Sequence, residues 1–103
     1  MKILAIEKET PESTDDQFAP YLRQEANRVW ELYNTGVIRE LYFRRDRQEA
    51  ALVMECRDPQ EASHLLQSLP LVSRGLTSFE VIPLDPHQGF ENLFGLTGDR
   101  VKE

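Results

Sequence analysis

The sequence has one cysteine, Cys56, two histidines and no long apolar run. A lone cysteine cannot close an internal disulfide or supply a cysteine-rich metal site. His64 and His87 are far apart and have no cysteine or carboxylate at ligand spacing, so no zinc site can be read. No stretch approaches the roughly 18 apolar residues of a spanning helix. The opening Met1-Lys2-Ile3-Leu4-Ala5-Ile6-Glu7-Lys8 reaches charge too early for a secretory leader. Basic residues are in deficit: 12 Lys and Arg against 18 Asp and Glu leave a formal charge of −6. The chain therefore lacks the basic face by which proteins displace counterions from nucleic acid or sit on an anionic membrane. Ser73-Arg74-Gly75 is too short to be a phosphate loop, and no Ser–His–acid constellation is legible. A cytoplasmic, soluble single domain of 103 residues is expected.

What is present is 40% hydrophobic residues in ordered patterns. Lys2 to Lys8 reads as a strand, with Ile3 and Ala5 on one side and Leu4 and Ile6 on the other. After the polar loop through Asp16, with Thr14 and Gln17 as a candidate capping box, a helix is expected from about Asp16 to Thr35. Pro20 is placed in its first turn and Gly36 stops it. Phe18, Leu22, Ala26, Val29 and Tyr33 form the apolar stripe, with Trp30 beside it. Val37 to Arg45 and Ala50 to Cys56 read as strands around a polar hairpin turn. Asp58-Pro59-Gln60-Glu61 opens a second helix with stripe Ala62, Leu65, Leu66 and Leu69, ended by Pro70. Thr77 to Leu84 is the last strand, followed by a tail carrying Phe90, Leu93, Phe94 and Leu96.

The order β-α-β-β-α-β predicts an α+β, ferredoxin-like sandwich with two helices over one face of a four-stranded antiparallel sheet. Leu41, Phe43, Leu52, Met54, Phe79 and Val81 suit the helix side. The other side keeps Tyr42, Val53, Ile82 and Leu84 among Glu40, Arg44, Glu55 and Glu80, too apolar for full solvation. A second copy covering this face, with a partly polar pocket between sheets, is the expected arrangement; an ordinary monomer with exposed aliphatics is the alternative.

Ser68-Leu69-Pro70-Leu71, the strand Phe79-Glu80-Val81-Ile82-Pro83-Leu84 and His87 resemble the carboxy-terminal half of muconolactone isomerases. Glu25, Gly36 and Arg39 fall at a similar spacing upstream. The resemblance implies a dimeric α+β barrel over residues 1–87, within a homodimer or larger assembly. Residues 88–103 form a tail that is a candidate for exchange between subunits. It further implies an isomerase of aromatic-compound catabolism, moving a double bond in a small unsaturated lactone or acid without a cofactor. Such a reaction needs an acid/base group and a charge stabiliser. The resemblance places a glutamate at Glu25. Ile38-Arg39-Glu40-Leu41-Tyr42 departs from the tryptophan- and histidine-containing stretch of those enzymes.

The candidates each have a plainer reading. Glu25 is a general base or a solvated helix residue paired with Arg23 or Arg28. Glu40 is a second acid/base candidate, and it and Arg44 form either a pocket ion pair or a charge set at a subunit rim. Arg39, Tyr42 and Arg44 could hold a substrate carboxylate or an enolate, and Trp30 and Tyr33 are core or pocket wall. His87 transfers a proton or sits on the surface. His64 is structural and Cys56 a core residue. Two other readings remain: a non-catalytic dimeric small-molecule-binding or accessory module, and cofactor-free oxygen chemistry, the latter by fold analogy alone.

Overall fold

Alternation of apolar residues along Lys2 to Glu9 builds the central strand β1 (Lys2–Glu9), described with the rest of residues 1–94 in a computed structural model. Ile3 and Ala5 are fully buried under the helices, while Leu4 and Ile6 on the opposite face are half-buried. The other strands are β2 (Ile38–Phe43), β3 (Ala50–Glu55) and β4 (Thr77–Leu84). They assemble in the order β2-β3-β1-β4 with every neighbouring pair antiparallel. This is the sheet of the ferredoxin-like α+β sandwich, and the expected fold is found.

The first helical region differs from the single helix expected. It divides into α1 (Asp15–Phe18), a 3₁₀ turn (Ala19–Tyr21) and α2 (Leu22–Asn34). Pro20 sits in the 3₁₀ turn: it has no N–H to give to a continuing α-helix, and its ring crowds the turn before it. At the start of α1 the Gln17 side chain accepts from the Thr14 backbone N–H at 2.9 Å. Gly36, with φ +83°, closes the end beyond Asn34. Pro70 also departs from expectation. Helix α3 (Pro59–Leu66) ends before it, and Pro70 opens the short helix α4 (Pro70–Ser73). Proline at a first helical position loses no hydrogen bond, and the preceding Leu69 is extended, as a residue before proline prefers. The N-terminus of α3 is capped as read: Asp58 Oδ1 accepts from the Glu61 N–H at 2.7 Å. In return the Glu61 carboxylate accepts from the Arg57 N–H at 2.8 Å.

A bulge in β2 decides which of its residues meet the core. Ile38 lies opposite Met54, but Glu40 lies opposite Val53, so Arg39 is the extra residue. Without it, strict alternation from the buried Ile38 would send Glu40 and Tyr42 inward. The added residue puts Leu41 opposite Leu52 and Phe43 opposite Ala50, on the helix side. Ile3, Ile38, Met54, Leu52, Leu32, Ala62, Leu66 and Leu69 then form the core between sheet and helices, with Cys56 buried among them. Burial pushes the Cys56 thiol pKa up, which suits a packed thiol and not a reactive thiolate. The short helix α5 (Glu91–Phe94) follows β4, and Phe90, Leu93 and Phe94 are exposed. Leu96 lies outside the described residues. Among those described, no helix is long and apolar enough to cross a membrane.

Met54 has no exposed surface and lies opposite both Ile3 and Ile38. Met54→Ala is expected to lower the unfolding free energy by about 2–5 kcal/mol with an unchanged denaturant slope, measured by urea titration.

Candidate active site

An acid on the core side of a strand is the feature from which the site grows. Glu7 follows Ile3 and Ala5 on the buried face of β1 and keeps only 7% of its surface exposed. Its Oε1 accepts from the Ala50 N–H of β3 at 2.9 Å. The buried Thr77 hydroxyl of β4 also favours its ionised form, across a gap too open for a formed hydrogen bond. Desolvation outweighs both, so the Glu7 pKa is raised above the ordinary 4.5. The charges of Glu9 and Glu49 push it further the same way.

Glu25 approaches from the opposite wall. It lies in the first turn of α2, half-buried, and its Oε1 accepts from the Leu71 N–H of α4 at 3.0 Å. Its pKa is raised, first by desolvation and also by the charge of Glu7, while the Leu71 hydrogen bond works against the shift. Glu25 thus senses the charge of Glu7, and both carboxyls line one cavity.

That cavity, of about 740 Å³, lies between α1, α2 and the helix side of the sheet. Glu7, Glu25, Thr77 and Leu69 line it together with Phe18, Leu22, Val29, Trp30 and Tyr33 of the helical layer. Leu41, Phe43, Leu52 and Phe79 supply sheet-side wall. Trp30 and Tyr33 stack with ring centroids 6.1 Å apart, both partly open to solvent. This volume falls within the usual range for small-molecule sites, whose walls are mostly apolar with a few polar groups.

The cavity formed by this chain alone lies on the helix side of the sheet. It brings together Glu25, Trp30 and Tyr33 of the candidates. Tyr42 reaches its edge but commits its hydroxyl to Glu40 at 2.7 Å, and that bond to a carboxylate raises the phenol pKa. Glu40 is exposed and does not line the cavity. Neither does Arg39, whose Nε donates to the Gly36 carbonyl at 2.5 Å. Arg44 pairs with Asp46 at 2.8 Å and stands 3.8 Å from Glu49, so the Glu40–Arg44 pair does not form. His87 is exposed and meets the Phe90 ring edge-on at 5.2 Å, outside the cavity. His64 is exposed on α3. Among the described residues no cluster of His, Cys, Asp and Glu could hold a metal ion.

Sequence reasoning passed over Glu7 and Glu49. The signal for Glu7 was available: an acid in register with Ile3 and Ala5 has to be buried if they are. Glu49 is buried at the hairpin's end, where its Oε2 accepts from the Glu9 N–H at 2.9 Å.

A ferredoxin-like sheet with an apolar, acid-containing cavity beneath its helices defines the chain as a small α+β domain. No curated protein matches the chain. The sequence model of the muconolactone delta-isomerase family matches residues 3–89, most of the chain, and the protein belongs to that family.

Because its folded-state pKa is raised, Glu7 contributes most to stability below the ordinary carboxylate value of 4.5. That contribution is lost as pH rises through the raised value. Glu7→Gln keeps an acceptor for the Ala50 N–H and removes the titration. The variant is expected to gain stability relative to wild type between about pH 4 and about pH 8, read by urea denaturation at both pH values.

Proposed function

We propose that the protein is a muconolactone isomerase-like enzyme that shifts a double bond in a small unsaturated lactone or acid by cofactor-free proton transfer. The observation that carries this reading is Glu25: a carboxyl in an apolar cavity, held by one backbone N–H and with its pKa raised. A carboxylate with a raised pKa is a stronger base than one in water and returns the proton readily once it holds it.

In this reading Glu25 removes a proton from the carbon next to the substrate carbonyl. The electron pair moves onto the carbonyl oxygen as a conjugated enolate, and the same carboxyl returns the proton at the far end of the conjugated system. One C–H bond breaks, one forms, and no electrons are gained or lost. Glu7, whose burial favours the protonated form, donates a hydrogen bond to the enolate oxygen. Trp30 and Tyr33 hold the flat substrate against the helix wall. Glu40, Arg39, Arg44 and His87 take no part in the reacting set of their own subunit, and Tyr42 contributes edge surface.

The half-buried apolar residues on the open sheet face, Leu4, Ile6, Ala51, Val53 and Ile82, support a homodimer in which two sheets face each other. Residues 1–87 form the barrel domain in this assembly. The tail from residue 88 onward, with Phe90, Leu93 and Phe94 exposed, packs on a neighbouring subunit.

Glu25→Gln should abolish turnover of muconolactone or of its methyl ester, followed by absorbance, while leaving the assembly's mass unchanged. Full activity in the variant would remove Glu25 as the base. Truncation after Pro86 should lower the mass in solution, measured by light scattering; an unchanged mass would refute the tail's exchange.

A further inference from the structure

The charge of the cavity wall is one-sided. Four of its lining residues are acidic, Glu7, Glu9, Asp15 and Glu25, and no lysine, arginine or histidine lines it among the described residues. The hairpin arginines do not fill the gap. Arg44 and Arg47 stand beside Asp46 and Glu49, at 2.8 to 3.9 Å, and neither faces the cavity as lining. Arg28 is taken up by Ser68 and Glu31, and Arg74 lies over the Tyr21 ring. A carboxylate entering this space would lose its water, meet acids on both walls and find no cationic partner among the described lining residues. Desolvation and like-charge repulsion both oppose it. The deep part of the cavity offers Leu52, Leu69 and Phe79, an apolar wall that suits the body of an uncharged compound.

From this wall we infer that the site selects an uncharged, largely apolar carbonyl compound and rejects a free carboxylate. The inference narrows the proposed reaction to neutral lactones, esters or ketones, and it rests on that reaction for the carbonyl alone. The methyl ester of muconolactone fits the wall, and the free acid does not. Rejection of the anion is specificity by an unfavourable contact, built from acids that line the cavity.

The test measures binding and so stands apart from turnover. Benzylacetone, hydrocinnamate and phenylpropylammonium share one ring and chain length and differ in end-group charge: neutral, negative and positive. Each is titrated at neutral pH into the full-length protein, following the indole N–H signal of Trp30, the sole tryptophan, by NMR. Benzylacetone is expected to bind at least about tenfold more tightly than hydrocinnamate, and phenylpropylammonium also more tightly than hydrocinnamate. Ala26→Trp, which fills the cavity from α2, should abolish that binding, with the fold checked by circular dichroism. Glu9→Gln combined with Asp15→Asn should strengthen hydrocinnamate and leave benzylacetone unchanged. Hydrocinnamate binding as tightly as the ketone or as the ammonium ion would overturn the inference. So would binding that Ala26→Trp leaves intact, or no binding of benzylacetone. If benzylacetone binds as expected while Glu25→Gln leaves turnover untouched, the charge preference stands and only the assignment of the base falls.

Discussion

Two glutamates held inside an apolar space by single backbone N–H groups set the terms for the rest of the molecule. Glu7 ties β1 to the start of β3 through Ala50, and Glu25 ties α2 to α4 through Leu71. Each acid is costly to bury, and each recovers part of that cost only if the chain segment opposite stays in place. The cavity walls are thus coupled: moving α4 away leaves Glu25 without its donor, and shifting β3 leaves Glu7 without its own. The carboxyls that resist ionisation also define the geometry of the space around them. Site chemistry and fold are two aspects of the same pair of contacts.

Membership of the muconolactone delta-isomerase family is shown by sequence over residues 3–89, and the sheet order and helix placement agree with it. Family membership gives the scaffold. The cavity's described lining is apolar, with acids and no cation. A scaffold can keep its proton-transfer carboxylate while the surrounding side chains redirect it to a different charge class of molecule, since fold and site vary separately.

Much of this was legible in the residues. Period-two alternation in β3 and β4 assigned the correct face to Leu52, Met54, Phe79 and Val81, because one buried face leaves little freedom of register, and in β1 it set Ile3 and Ala5 apart from Leu4 and Ile6. The proline and N-cap at Asp58-Pro59 located α3 for the same local reasons that hold in any helix. What escaped the sequence depended on distant partners. Pro20 and Pro70 were read as marking one helix's first turn and another's end, whereas tertiary packing uses one in a 3₁₀ turn and the other to start a new helix. The cavity under the helices was not foreseen, because the polar residues Glu40, Tyr42 and Arg44 mark the opposite face of the sheet. Glu7 was overlooked because it stands among strand residues that read as core. Which carboxylates meet is fixed by sheet order, and no local pattern in Glu7 or Glu25 states that order.

The irregularities at the two outer strands have a consequence for colony-like growth of the sheet. β2 carries the bulge at Arg39 next to Glu40, and β4 carries Pro83, which offers no N–H. Twisted or donor-poor edges with charged side chains are poor templates for another strand. Two copies meeting through their backbones would extend the sheet indefinitely, towards fibrils. With both edges blunted, the remaining adhesive surface is a face, and contact between two identical faces closes on itself. The same two irregularities that interrupt the ladder therefore oppose open-ended growth of the sheet through its edges.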